Sequence, residues 1–175
     1  MGPLDLKYYG DPFLRKETGT IKEFDNSLEL FAQEMVETMR SNEGVGLAAP
    51  QVGDLRSLIV IEVSSEEDEE PAEPLILVNP DIKELSGSCV IEEGCLSIPD
   101  VRVEIERPEE IRIKFQNVKG EKQDLKCDGI LARVIQHEVD HLRGRLMIDY
   151  LSPVKRDLLK TKLQKISRGE IPAGV

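Results

Sequence analysis

The stretch that decides the fold is residues 130–141, Ile-Leu-Ala-Arg-Val-Ile-Gln-His-Glu-Val-Asp-His. Its composition predicts an α-helix from about Ile130 to His141. Each residue of a helix advances by about 100°, so His137 and His141 project from the same face. Two imidazoles at this spacing can bind one metal ion, and Glu138 beside them can reach a water ligand of that ion. The stretch therefore predicts a helix that carries a metal site.

An accidental match is the alternative interpretation of this short motif, because a polar helix face can simply tolerate histidine. The chain contains only two histidines among its 175 residues, however, and both of them belong to the motif. An accidental match that uses every histidine of a chain is rarer than an accidental match to the motif alone.

A catalytic metal site usually has a third protein ligand and one open position. The extended metzincin motif would place a third histidine at position 147, which is Met147 here. Downstream carboxylates belong to no second helical motif (Asp149, Asp157 and Glu170). Cys95 is the best remaining candidate, because Gly94 before it permits unusual backbone angles that could present the thiolate and the following amide to one point. Core filling is the alternative for Cys95, as it is for Cys89 and Cys127.

Apolar periodicity predicts the other elements. A helix is predicted over residues 27–40, and another begins at Ser152 and Pro153. Buried strands are predicted over 56–63 and 75–79, and half-buried strands over 101–105 and 111–115. Strands gathered in the middle with helices towards both ends predict an α+β fold. No internal repeat or long linker divides the chain, so we predict a single catalytic domain over residues 1–175.

The acidity of the chain is concentrated in one segment. The net charge is −11, and seven acids lie between Glu62 and Glu73 without a lysine or arginine among them. Without those seven charges the remainder carries only −4. We therefore predict that residues 62–74 form an acidic loop insertion, which is solvated because like charges repel.

Several classes of protein are excluded by composition. No apolar run approaches the roughly 20 residues that span a bilayer, and the first residues do not resemble a secretory signal. Three cysteines argue against a disulfide framework, so we expect a cytoplasmic protein without a membrane partner. Aromatic residues make up only 4%, and the absence of a basic stripe argues against sequence-specific nucleic-acid binding.

A further segment, residues 44–51, is unusually rich in small residues. Residues 44–51 read Gly-Val-Gly-Leu-Ala-Ala-Pro-Gln, where two glycines and two alanines allow a ligand to approach the backbone closely. Gln51 adds an amide side chain. Taken alone, the segment is equally typical of a plain turn after the first helix.

Together the three segments resemble the peptide deformylase family. Its signature is Gly-x-Gly-x-Ala-Ala-x-Gln, then Glu-Gly-Cys-Leu-Ser, then Gln-His-Glu-x-Asp-His. The chain matches these motifs in order at residues 44–51, 93–97 and 136–141. The likeness continues at residues 9–15, and residues 142–152 with the closing helix resemble the bacterial branch that ends in a helix.

The resemblance implies a peptide-deformylase-like α+β fold, in which mostly antiparallel sheets pack around a central metal-binding helix, with an N-terminal and a C-terminal helix. It implies a metal-dependent hydrolase that removes the formyl group from the N-terminal formyl-methionine of new polypeptides and releases formate. The implied partners are nascent formyl-methionyl chains at the ribosome, and the implied assembly is a monomer or a homodimer.

The resemblance also implies roles for individual residues. One divalent ion, natively Fe²⁺ with Zn²⁺, Ni²⁺ or Co²⁺ as substitutes, is implied to bind Cys95, His137 and His141. Glu138 is implied to act as general base and then as acid. The side chain of Gln51 and the backbone N–H of Leu96 are implied to stabilise the developing negative oxygen.

Substrate contacts are implied for Val45, Gly46, Ile91, Glu93, Gly94, Arg102 and Val134. The backbone of Val45 and Gly46 would pair with the peptide like an added strand, and Val45, Ile91, Val134 and His137 would form the methionine pocket. Arg102 would contact the substrate or pair with Glu93, unless it is simply a solvated strand residue. Asp100 departs from the family, many members of which have glycine there.

Two other functions are consistent with the helix motif alone. A metallopeptidase of another type could use the same helix, although no conventional third ligand for one is evident. A non-enzymatic metal-binding module would require a closed site with four protein ligands, and the sequence offers only three strong ones.

Overall fold

The computed structural model describes residues 2–63 and 73–170. Within these ranges the helices are α1 (Asn26–Ser41), α2 (Gly129–Leu142) and α3 (Pro153–Ser167). The strands are β1 (Gly46–Ala48), β2 (Leu58–Ile61), β3 (Leu75–Ser86), β4 (Cys89–Cys95), β5 (Ile98–Arg107), β6 (Glu110–Gln116) and β7 (Lys122–Asp128). Short 3₁₀ helices lie at Pro12–Arg15, Ala49–Val52 and Met147–Tyr150.

The strands form two antiparallel sheets. One sheet has five strands in the order β1-β2-β3-β6-β7, and the other pairs β4 with β5. β1 lies at an edge of the larger sheet, so one side of its backbone has no neighbouring strand within that sheet. Strands in the middle of the chain and helices near both ends confirm the predicted α+β arrangement.

Strand β2 is buried on both faces. Leu58 and Val60 pack in a cluster with α1, whereas Ile59 and Ile61 pack in a cluster with α2. All four side chains are at most 1% exposed. This two-sided burial explains why the strand is a continuous apolar run and does not alternate with polar residues.

Helix α2 occupies the centre of the molecule. Every residue from Ala132 to Leu142 is buried, including the polar side chains of its second half. The helix ends one residue beyond the predicted range and packs against β1, β2, β6 and β7. A helix buried on all sides must pair its polar groups with other protein groups or with a ligand, because water cannot reach them. The central helix predicted from the sequence is confirmed.

Helix α1 begins one residue before the predicted range and ends one residue after it. The side chain of Asp25 accepts a hydrogen bond from the Leu28 amide at 3.0 Å, which caps the first turn. Residues on one face of the helix are buried beneath β2 (Leu28, Phe31, Met35 and Met39 among them). None of the helices in the described ranges is long and apolar enough to cross a membrane.

The predicted acidic insertion falls largely on residues 64–72, which lie outside the described residues. Its first acid, Glu62, forms a bidentate ion pair with Arg40 of α1, with distances of 2.8 and 2.6 Å. Glu62 is therefore tied to the folded protein and does not belong to a freely solvated loop.

Asp149 joins the N-terminal segment to the region before α3. Its carboxylate accepts two hydrogen bonds from Arg15, at 2.6 and 3.1 Å, and one from the Leu146 amide at 2.9 Å. Burial favours the neutral acid, but these hydrogen bonds outweigh it and lower the pKa of Asp149. The ionised carboxylate is therefore the form that stabilises the fold.

We expect Asp149→Asn to lower the free energy of unfolding by about 1 kcal/mol at pH 7. The pKa of Asp149 is lower in the folded than in the unfolded chain, so its contribution is complete above pH 4 and is lost as the pH falls further. Urea unfolding at pH 7 and pH 3.5 measures this, with Asp5→Asn as an exposed control. An equal deficit at both pH values would contradict the expectation.

Candidate active site

The three predicted metal ligands converge where the end of β4 meets α2. Cys95 ends β4, and His137 and His141 lie on α2. Their ligand atoms all lie within 4.8 Å of one another, and the sulfur of Cys95 is 3.3 Å from Nε2 of His141. Both imidazoles are buried. Residues that are 42 positions apart in the chain are thus brought together as the sequence predicted.

The orientation of His137 is fixed by Glu93. A carboxylate oxygen of Glu93 lies 2.9 Å from Nδ1 of His137, so this nitrogen donates a hydrogen bond and leaves Nε2 free for another partner. Burial opposes ionisation of Glu93, but hydrogen bonds from His137 and Arg107 lower its pKa to about 2. Glu93 is therefore a carboxylate at any working pH.

The two histidines differ in their electrostatic surroundings. Burial opposes a charge on both rings, and for His141 burial together with the nearby charge of His137 lowers the pKa. For His137, Cys95 and Glu93 outweigh burial and raise the pKa. A cation bound between Cys95 and His137 would compete with a proton for this place.

Glu138 is buried beside the two histidines. One of its carboxylate oxygens, Oε2, has no hydrogen-bond partner among the residues described. Burial raises the pKa of Glu138 to about 7, with a smaller contribution from the negative charge of Glu93. A carboxylate with a pKa near neutrality and a free oxygen can both accept and return a proton.

Gln51 presents its amide nitrogen to Cys95. The side-chain oxygen accepts a hydrogen bond from the Ala48 amide at 2.8 Å, which fixes the amide orientation. The nitrogen then lies 3.6 Å from the sulfur of Cys95 and 3.2 Å from the hydroxyl of Ser97. Leu96 lies in the turn that directly follows Cys95, so its backbone is close to the same point.

A cavity of about 490 Å³ opens onto these residues. Its lining includes almost all the predicted substrate-binding residues (Val45, Gly46, Glu93, Gly94, Arg102 and Val134). Ile91 is the exception: it does not line the cavity. Strand β4 leads away from the cleft, and Ile91 lies two residues, about 6.6 Å, beyond Glu93. The exposed side chain of Ile130 at the start of α2 contributes to the wall instead.

Two details of this wall differ from simple expectation. Gly94 lies in β4 opposite Arg102 without a positive φ, and the strand pairing becomes irregular between Gly94 and Cys95. The suggested pair of Arg102 with Glu93 does not form, since Arg107 and Arg133 take both oxygens of Glu93. The guanidinium of Arg102 lies instead over Gly94 and lines the cavity.

Asp100, the departure from the family pattern, has a left-handed backbone with φ of +58°. This left-handed conformation favours glycine, which accounts for the glycine that the resemblance implies at this position. The Lys162 ammonium on α3 donates a hydrogen bond to the carbonyl oxygen of Asp100. The closing helix thereby contacts the cavity wall.

A group of buried charges around Glu93 escaped the sequence analysis. Its members are Arg107 on β5 and Arg133 and Asp140 on α2, and the exposed Tyr150 before α3 donates a hydrogen bond to Asp140. Arg107 was detectable, because the inward positions Val101, Val103 and Ile105 continue to it at a spacing of two. Asp140 follows His137 by three residues on the same helix, which places the two side chains on neighbouring parts of the helix surface.

The donor set fits a resident metal ion. A thiolate sulfur and two imidazole nitrogens are ligands that divalent transition metals prefer. Three protein ligands leave the open position that is typical of a catalytic centre and not of a structural one. A central helix with this donor set and a neighbouring buried glutamate defines the class of metal-dependent hydrolases.

Comparison with known proteins agrees with this class. Residues 3–157 match the sequence profile of the family described as polypeptide deformylase. The peptide deformylase of Thermotoga petrophila is 45% identical over 164 residues, which is 93% of this chain and 96% of that protein. That of Bartonella tribocorum is 43% identical over 156 residues, 89% of this chain and 88% of its own length. The chain belongs to the polypeptide deformylase family.

Solved structures show the same likeness. The crystal structure of a peptide deformylase from Legionella pneumophila superposes with a TM-score of 0.87 at 36% identity, covering 97% of this chain and 98% of that one. A Synechococcus elongatus peptide deformylase in complex with actinonin gives 0.84 at 40% identity, covering 93% and 87%. The predicted peptide-deformylase-like fold is therefore confirmed.

Proposed function

We propose that this chain is a peptide deformylase, which hydrolyses the formyl amide of an N-terminal formyl-methionine and releases formate and the free methionyl peptide. The observation that carries the proposal is the convergence of Cys95, His137 and His141 beside the buried Glu138, at the base of the cavity. Family membership supports the same reaction.

Cys95, His137 and His141 would hold one divalent metal ion. When bound there, the ion supplies Lewis-acid chemistry, which makes a water molecule more acidic and polarises the formyl oxygen. We propose Fe²⁺ as the native ion, with Zn²⁺, Ni²⁺ or Co²⁺ as functional substitutes. Glu93 stabilises the site through its hydrogen bond with Nδ1 of His137, which fixes the tautomer of that ring.

Glu138 would move the proton. Its carboxylate takes a proton from the attacking water and then delivers it to the nitrogen of the leaving amine. The pKa of about 7 suits both steps, because the group is neither a strong acid nor a strong base at neutral pH. The carboxylate oxygen Oε2, which has no hydrogen-bond partner among the described residues, is available to accept that proton.

Gln51 and the backbone N–H of Leu96 would stabilise the formyl oxygen as it becomes negative. The hydrogen bond from Ala48 holds the Gln51 amide with its nitrogen towards Cys95 before the substrate arrives. A donor that is already oriented requires no free energy of reorganisation during the reaction, which is the main advantage of such groups.

The peptide would bind along the open edge of β1. Val45 and Gly46 line the cavity at this edge, where the backbone can pair with an extended chain. The methionine side chain would enter between Val45 and Val134, and Arg102 would contact the peptide farther along the cavity. We further propose nascent chains at the ribosome in the cytoplasm as the source of substrate, with the enzyme acting as a monomer or homodimer.

The deciding experiment is formate release from formyl-Met-Ala-Ser by protein purified without oxygen, with the metal content determined on the same sample. Acetyl-Met-Ala-Ser is the matched control, because it presents the same peptide with a larger acyl group. Formate with about one metal ion per chain supports the proposal. A fully metallated sample that releases no formate, or that cleaves peptide bonds instead, would favour the metallopeptidase or the binding module.

We expect the iron-loaded enzyme to lose most of its activity on exposure to air or peroxide. A cysteine thiolate is the form that peroxide oxidises, and a bound Fe²⁺ adds a redox-active partner beside Cys95. Zinc-loaded protein is the control, because Zn²⁺ undergoes no redox chemistry and its relative loss should be much smaller. Full activity of the iron-loaded sample after a day in air would contradict the expectation.

A further inference from the structure

We propose that Tyr150 is a positioning residue for the metal-binding histidine His137, acting through a continuous line of buried charges. This inference rests on the metal site proposed above. The line runs from the surface through Asp140, Arg107 and Glu93 to Nδ1 of His137.

Each link in this line is short. The Tyr150 hydroxyl donates to Asp140 at 2.7 Å, and Arg107 donates to the same carboxylate oxygen at 2.8 Å. Arg107 then grips Glu93 with two hydrogen bonds of 2.6 and 3.0 Å. Glu93 ends the line at His137, 2.9 Å away. A displacement at one end therefore has a continuous route to the other.

The buried charges of the line are electrically balanced when Arg133, a further partner of Glu93, is counted with them. Arg107 and Arg133 carry two positive charges, and Glu93 and Asp140 carry two negative ones, with exposures between 4 and 7%. Arg133 donates to Glu93 at 2.8 Å, so both guanidinium groups converge on this carboxylate. Buried charges of this kind are stable only while every partner stays in place.

The line contacts α2 at two residues that are three positions apart, His137 and Asp140. His137 is tied to β4 through Glu93, and Asp140 is tied to β5 through Arg107. These two contacts restrain the rotation of the helix about its axis and its translation along it. The direction of the His137 imidazole towards Cys95 therefore depends on both contacts.

Tyr150 contacts both members of the outer ion pair, Asp140 and Arg107. Its hydroxyl also accepts a hydrogen bond from Arg107 at 3.3 Å, and its ring lies 4.8 Å from the guanidinium carbon. The side chain covers the Arg107–Asp140 pair from solvent while being 44% exposed itself. Tyr150 is the member of the line that can be changed without leaving a charge unpaired in the interior.

The test measures the rate at which Co²⁺ is released, a quantity that does not depend on enzymatic activity. Cobalt-loaded protein is mixed with excess EDTA, and the decay of the visible cobalt absorption bands gives the release rate, while the bands themselves report the coordination geometry. The variant is Tyr150→Phe, which keeps the ring over Arg107 and removes only the hydroxyl. Tyr9→Phe is the matched control, because it removes a phenolic hydroxyl from a half-buried ring outside the line.

We expect Tyr150→Phe to release Co²⁺ about 3- to 10-fold faster than the wild type, a smaller effect than the 10- to 100-fold typical when a direct partner of a metal ligand is lost. Tyr9→Phe should release it at the wild-type rate. Asp140→Asn, one link closer to the metal, should exceed Tyr150→Phe.

Release from Tyr150→Phe at the wild-type rate would overturn the proposal, and so would equal acceleration in both tyrosine variants, which would indicate general loosening. A wild-type protein that binds no Co²⁺ would overturn the metal site itself and this inference with it. Normal Co²⁺ binding without formate release would count against the proposed reaction but leave the role of Tyr150 intact.

Discussion

Glu138→Gln should lower kcat/KM for formyl-Met-Ala-Ser by about 10³-fold or more, because general acid–base catalysis contributes roughly 10²- to 10⁴-fold. Glutamine has nearly the same shape as glutamate, so it fills the buried space without a cavity. It cannot take a proton from water, however, nor return one to the leaving amine. Metal content and the unfolding midpoint should stay close to those of the wild type.

Glu104→Gln is the matched control for this variant. It removes a carboxylate from the exposed face of β5, away from the cavity lining, and should leave kcat/KM within about twofold of the wild type. If Glu138→Gln protein with a full complement of metal released formate at the wild-type rate, the proton-transfer role would have to be abandoned.

Gly46→Ala should lower kcat/KM by about 10²-fold, since a misplacement near 1 Å can cost this much. A Cβ at position 46 would lie 2.6 Å from Oε1 of Glu138, 3.0 Å from its Cγ and 2.8 Å from Cγ1 of Val134. Both side chains belong to the buried helix α2, so neither can move away freely. The carboxylate would be pushed from its position and the strand edge displaced from the peptide.

The control for Gly46→Ala is Gly19→Ala. The nearest atom to a Cβ at Gly19 is 4.0 Å away, so that change is accommodated without strain. Both variants should retain the metal, because neither touches a ligand directly. Activity of Gly46→Ala within a factor of two of the wild type would show that Glu138 tolerates a different position.

The candidate site could be predicted from sequence because its residues occur in fixed local patterns. His137 and His141 reflect helical geometry, and the order of the three motifs led to Cys95 and Gln51. The pocket wall was predicted less well, because the position of Ile91 depends on how β4 runs relative to the cleft. Local spacing carries no information on this register.

Strands β1, β4 and β7 escaped prediction. β7 is an edge strand whose side chains are mostly exposed, so it lacks the apolar alternation of the predicted strands. β3 was predicted to end at Asn79 but continues to Ser86, where its residues are largely exposed and paired with β6. The partners of Glu93 were missed because buried ion pairs form between residues distant in sequence, and isolated charged residues usually lie at the surface.

The two-sided burial of β2 has a consequence for the chain before it folds. Residues 58–63, Leu-Ile-Val-Ile-Glu-Val, combine high β-propensity with strong hydrophobicity, the composition that promotes aggregation when it is exposed. The dense acidic run that begins within this stretch places negative charge on any intermolecular contact through it, in the manner of gatekeeper residues. We therefore expect these charges to oppose intermolecular pairing of β2 while the chain is unfolded.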